Sequence, residues 1–123
     1  MRQIKFRGKR LDNDEWVYGD LIHIDDSDIG IVTDYDHWQG CRVDPETVGQ
    51  FSGLLDRNGK EIYEGDILCC KDDPDFLPET IEFDEGCFMA KDGYTSVPIS
   101  TIDTRYRVII GNIHDTPDLL NGK

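Results

Sequence analysis

The side chains of this sequence best suited to metal or nucleophilic chemistry are three histidines and four cysteines. His23, His37 and His114, with Cys41 and Cys69, are zinc-ligand types, but none stands at the short spacing that presents two ligands from one turn. Cys69 and Cys70 are neighbours, so in a strand their thiols face opposite sides and do not share an ion easily. Asp12-Asn13-Asp14 and Asp26-Ser27-Asp28 open like calcium loops, but the glycine and the bidentate glutamate that such loops need further on do not follow. Ser52, in QFSGL, lacks the first glycine of a Gly-x-Ser-x-Gly nucleophile elbow. Gly8, Gly19 and Gly30 are isolated, so there is no glycine-rich phosphate loop. These residues predict no catalytic group, no metal ligand and no cofactor, and hence a protein that is not an enzyme.

Two surface features remain. The stretch DYDHWQG carries Tyr35, His37 and Trp38; Tyr and Trp bury much area while keeping a polar end, which suits a partner contact. The plainer reading is that Trp38 covers the open end of its own sheet. The second feature is a basic strip, Arg2, Lys5, Arg7, Lys9 and Arg10, at the start of a chain whose net charge is −13. That balance argues against general binding to nucleic-acid phosphates. The strip is expected to pair with acidic neighbours in its own chain or in a second copy, giving a homo-oligomer. Nucleic-acid binding through the strip is the alternative. The acidic loops around Asp25 and Asp72 read as solvated turns.

The elements that must position these residues are short strands. Alanine occurs once, at Ala90, while Ile, Val, Tyr, Phe and Thr recur in short runs, which favours strands over helices. Arg2 to Arg7 alternates as a strand, and Trp16 to Ile24 returns as the second arm of a hairpin, with a bulge or bend expected at Gly19. Ile29 to Thr33 is the next strand, and Cys41 to Val43 is extended. Val48 to Leu55, a turn at Asp56-Arg57-Asn58-Gly59, Lys60 to Tyr63, a break at Glu64-Gly65, and Asp66 to Cys70 form the densest run of reversals. Pro74 and Pro78 keep the following loop out of a sheet interior. Glu79 to Phe83, with Ile81 and Phe83 inward, turns at Asp84-Glu85-Gly86 into Cys87 to Ala90. Arg105 to Ile113 reads as one strand with Tyr106, Val108 and Ile110 on one face. Thr116-Pro117-Asp118 starts one short helical turn.

The chain is therefore predicted to be mainly β. Residues 1–60 would form an N-terminal β-subdomain, and residues 61–123 a small SH3-like barrel with the C-terminal turn, together one compact unit. No signal-peptide core and no membrane-length apolar run occurs, and no Cys-x-x-Cys pair, so a cytoplasmic protein with reduced thiols is expected.

The run VGQFSGL, followed by DRNGKEIYEGDI, resembles the core motif of the YopX family, small proteins of bacteriophages and prophages. The opening MRQIKFR with WVYG is similar to the family's start, and VIIGNIHDTPDLL to its close. The resemblance implies a mainly β protein with an SH3-type barrel in its C-terminal part, acting in the bacterial cytoplasm. It supplies no catalytic residue. Its matched positions, Gly53, Asn58, Gly59, Ile62, Tyr63, Gly65, Asp66 and Ile67, suit structure: glycines at turns, Asp66 bonding turn amides, Ile62 and Ile67 in the core. The reading that follows is a non-enzymatic accessory module that binds another protein or assembles with itself.

Overall fold

A computed structural model of the chain describes residues 3–33 and 40–120. The chain divides into two compact units, Met1–Phe51 and Ser52–Lys123. The division falls inside one strand rather than in the turn that ends at Gly59.

The first unit is an antiparallel sheet of β1 (Phe6–Lys9), β2 (Trp16–His23), β3 (Ile29–Val32), β4 (Cys41–Val43) and the start of β5 (Gly49–Leu55), in the order β4-β3-β2-β1-β5. Local side-chain bonds make its turns. Asp25 Oδ1 accepts the N–H groups of Ser27 (2.9 Å) and Asp28 (2.8 Å), which closes the β2–β3 reversal. Asp44 caps the 3-10 turn Pro45–Thr47 by accepting from Glu46 N–H at 3.0 Å. Thr47 Oγ1 then takes the N–H of Lys9 at 2.9 Å, fastening that turn to the end of β1. Ile31 and Val43 are almost wholly buried.

No bulge interrupts β2. Its pairing with β1 runs unbroken from Phe6↔Gly19 to Lys9↔Trp16, and its pairing with β3 begins at Asp20↔Val32. Gly19 has a different cause: a Cβ there would run into the backbone carbonyl of Val32. The glycine lets β3 approach closely.

The second unit takes up the rest of β5, which turns into β6 (Glu61–Tyr63). β7 (Asp66–Cys69), β8 (Glu79–Asp84), β9 (Cys87–Lys91), β10 (Ser96–Pro98) and β11 (Val108–Asn112) then form a second antiparallel sheet, ordered β10-β9-β8-β7-β11. Its core is Ile62, Leu68, Ile81, Ala90 and Ile99, with Leu54, Phe88, Val97, Ile102 and Ile109 packed around them. Each fully buried isoleucine or leucine there contributes about 1.5–3 kcal/mol.

The mainly β expectation holds, and the SH3-like barrel is corrected in one respect: β10 and β11 are the two edges of this sheet and do not pair with each other, so no closed ring forms. Two further expectations are corrected. Phe83 does not point into a core; it is 52% exposed, because the β8–β9 hairpin runs on past Ile81 beyond the packed centre. Arg105 to Ile113 is not one strand. Asp103 accepts the N–H of Arg105 and caps a 3-10 turn, Thr104–Tyr106, so β11 starts only at Val108. Its alternation then slips at Ile110, where the register with β7 shifts between Ile109 and Gly111. The helical turn expected near the C-terminus is present as a 3-10 turn, Pro117–Leu120.

Candidate functional site

The aspartates of the central motif serve the backbone, while Glu61 accepts a bond from the Tyr63 hydroxyl at 2.9 Å. Asp66, 2% exposed, accepts the N–H of Tyr63 at 2.7 Å and so closes the β6–β7 reversal, the role expected of it. Gly65 sits in that reversal at φ +94°, its N–H on the carbonyl of Ile81 (2.7 Å) and its own carbonyl taking the N–H of Ile113 (2.9 Å). Asn58 and Gly59 form the β5–β6 turn, Gly59 at φ +81°. Ile62 and Ile67 are fully buried, Tyr63 nearly so, and Gly53 is exposed at φ +92°.

Three residues of the basic strip, Lys5, Arg7 and Lys9, lie over aromatic rings, and a fourth, Arg10, pairs with an acid of its own chain. The Arg7 guanidinium lies 4.6 Å from the centre of the Trp16 ring, with Lys9 Nζ at 5.6 Å from the same ring. Lys5 Nζ stands 6.0 Å from the Phe51 ring. Arg7 itself is buried. Arg10 grips Asp12 with two bonds, Nε to Oδ1 at 2.9 Å and the terminal nitrogen to Oδ2 at 2.8 Å. That pair holds the Asp12 carboxyl below its ordinary value. Arg2 lies outside the described residues, as do Tyr35, His37 and Trp38.

Of the cysteines, Cys87 is exposed, while burial pushes the pKa of the Cys69 thiol up. Among the described residues no three His, Cys, Asp or Glu side chains come together as a metal site would require.

The feature that sequence reasoning missed lies on the outer face of the β8–β9 hairpin. The register Thr80↔Lys91, Glu82↔Met89 and Asp84↔Cys87 puts these six side chains on one face. Lys91 Nζ bridges Asp84 (2.8 Å) and Glu82 (3.3 Å). The contact raises the Lys91 pKa and lowers that of Asp84. Beyond Lys91 the chain turns, and Asp92 Oδ1 fixes the turn by accepting the N–H groups of Tyr94 (2.9 Å) and Thr95 (2.8 Å). Those two backbone bonds hold the Asp92 carboxyl below its ordinary value. The turn holds the Tyr94 ring in water, 86% exposed. With Leu77 and Pro78 before β8, and Leu120 from the last 3-10 turn, Tyr94 lines an open groove of about 620 Å³. Leu77 and Leu120 are also exposed. The signal was present in the sequence as an aromatic directly after Asp92-Gly93, but the turn alone says nothing of what lies beside it.

Comparison with known proteins agrees with this architecture. The family model described as YopX protein matches residues 5–121. A crystal structure of protein EF1440 from Enterococcus faecalis is 24% identical, with a TM-score of 0.66, covering 98% of this chain and 99% of that one. The X-ray structure of protein yopX from Bacillus subtilis is 19% identical, with a TM-score of 0.60, covering 100% of this chain and 99% of that one. No curated protein matches the chain. No helix among the described residues is long and apolar enough to cross a membrane.

Proposed function

Because the chain belongs to the YopX family, we propose that it is a non-enzymatic accessory protein of phage or prophage origin, acting in the bacterial cytoplasm as a small acidic module that holds another protein and associates with copies of itself. The observation that carries this reading is Tyr94, a large ring kept 86% in water by a turn that Asp92 ties with two backbone bonds. An exposed aromatic on a turn whose backbone is already fixed spares the ordering of that turn when a partner covers it. The second unit also reads as an opened SH3-like module. In its favour are the order β10-β9-β8-β7-β11 and the 3-10 turn Thr104–Tyr106 just before the last strand. Buried Arg7, set against Trp16, is poorly placed to meet a phosphate, which speaks against the nucleic-acid alternative.

Affinity capture with the tagged chain from induced host cells tests the reading. The expected outcome is one protein retained in fixed ratio, whose binding is reproduced with both components purified, and a light-scattering mass above that of one chain that falls at high salt. Retention of nothing beyond the tag control, with a salt-independent monomer, refutes it.

A further inference from the structure

The groove beside Tyr94 has an apolar side and, at Glu82, an acidic one that continues past the groove to Asp84 on the same hairpin face; the two together describe its occupant. On the apolar side, Leu77, Pro78, Leu120 and Tyr94 line an opening of about 620 Å³, the size of a pocket for a few side chains. Along the β8–β9 face stand Glu82 and Asp84, their side chains 47% and 50% exposed, with the Lys91 ammonium between them. One ammonium offsets one of the two carboxylates and leaves the face negative, within a chain of net charge −13. An acidic segment or a phosphorylated one would be repelled here. A cation arriving beside Glu82 and Asp84 would be drawn in.

We propose that this groove docks an extended, basic segment of the partner protein, with a large apolar side chain seated against Tyr94 and Leu77 and a lysine or arginine laid along Glu82 and Asp84. The proposal rests on the reading of the chain as an interaction module and gives that module its surface and its partner's chemistry. Attraction between opposite charges sets the approach, and burial of the apolar side chain sets the residence time. Tyr94 is the anchor, because Asp92 fixes the backbone of its turn and that turn presents the ring to water before anything binds.

The test uses the purified full chain and three labelled ten-residue peptides, followed by fluorescence anisotropy at low salt. The first alternates lysine with small residues around a central Trp-Leu pair. The second replaces each lysine by glutamate, and the third replaces the Trp-Leu pair by serines. The first peptide should bind, with the other two at least roughly tenfold weaker. Tyr94→Ala should weaken the first peptide by about tenfold, as loss of an anchoring aromatic does, and Tyr94→Phe should restore it. Asp26→Lys, in the exposed β2–β3 turn, should leave it unchanged. Circular dichroism melts confirm that each variant folds.

Equal binding of the first and third peptides, or a loss on Asp26→Lys as large as on Tyr94→Ala, would mean diffuse attraction to an acidic surface and would overturn the proposal. Failure of the first peptide to bind would overturn the assigned occupant. The capture experiment decides separately whether the chain is an interaction module at all.

Discussion

The carboxylate of Asp56 accepts the backbone N–H of Ile109 at 3.0 Å, across a sequence separation of 53 residues. Its other oxygen accepts the N–H groups of Asn58 (2.8 Å) and Lys60 (2.9 Å), so one buried side chain both closes the β5–β6 turn and holds that turn against β11. Arg57 N–H adds a bond to the carbonyl of Arg107 at 2.8 Å. The edge of β11 is thereby occupied by the hairpin.

Asp56→Ala should therefore destabilise the second unit strongly. It strands the N–H groups of Asn58, Lys60 and Ile109, and losing bonds to a buried charged acceptor costs about 3 kcal/mol in all. Asp56→Asn should recover only part of this, because its amide would turn a donor toward one of the three N–H groups. Urea unfolding of the three proteins checks it. Equal midpoints for Asp56→Ala and the parent would show that the turn and β11 do not depend on this side chain.

Two glycines separate close approach from backbone conformation. At Gly19 a methyl group would meet the Val32 carbonyl, so Gly19→Ala should push β2 from β3 and cost about 1–3 kcal/mol. At Gly53 nothing lies within 4 Å of an added Cβ, and only φ +92° opposes it. Gly53→Ala should cost about 1–2 kcal/mol from left-handed strain alone and leave the pairing intact. Amide exchange at Leu21 and Ile31 distinguishes the cases: it should quicken for Gly19→Ala and not for Gly53→Ala.

These residues also mark what can be read from a sequence. The reversals at Asn58-Gly59 and Gly65-Asp66 were legible because their cause is local: a positive φ and a carboxylate within four residues of the turn amides it binds. In the first unit β2, β3 and β4 lie where the apolar runs put them, but β1 is Phe6–Lys9 and not Arg2 to Arg7: Ile4, expected on the half-buried face with Phe6, is exposed and precedes the strand. Phe83 was not legible either, since alternation gives the face of a strand but not how far its neighbours extend. Arg105 and Tyr106 look like strand residues until Asp103 is seen to cap the turn, a local competitor that outweighs the apolar pattern. A glycine inside the β2 pattern marks position 19 as special, but the Val32 carbonyl that requires it is a tertiary neighbour that the local sequence does not show. The Tyr94 groove was invisible on the same ground: Leu77, Tyr94 and Leu120 come together only through folding.

Acid should loosen the Tyr94 turn. The backbone N–H groups of Thr95 and Tyr94 lower the Asp92 pKa from its ordinary 3.8. A carboxyl lowered by folding contributes stability that is present above 3.8 and is lost as pH falls through the still lower folded value. The amide signals of Tyr94 and Thr95 should accordingly hold steady from neutral pH to about 5 and move together below 3.8, with a midpoint under that value. Asp92→Asn should abolish the shared acid transition. A midpoint above 3.8 for both amides would contradict the assigned bonds.

The loop after β7 is held by an ion pair that is nearly dry. Arg107 Nε donates to Glu79 Oε1 at 2.8 Å, the two side chains being 14% and 8% exposed, and the guanidinium lies 4.4 Å from the centre of the Phe76 ring. A flat guanidinium meets carboxylate and ring together, which an ammonium does not. Arg107→Ala leaves Glu79 buried with its charge uncompensated, a change that costs about 3–5 kcal/mol. Arg107→Lys should keep the charge but lose the ring contact, a smaller loss of about 1 kcal/mol. Replacing both partners, Arg107→Leu with Glu79→Leu, should recover much of the stability while freeing Phe76. Limited proteolysis then separates stability from loop order: cleavage between Lys71 and Leu77 should quicken in every variant that loses the guanidinium, including the double one. If the double variant resisted cleavage as well as the parent, the ring contact would have no part in holding the loop.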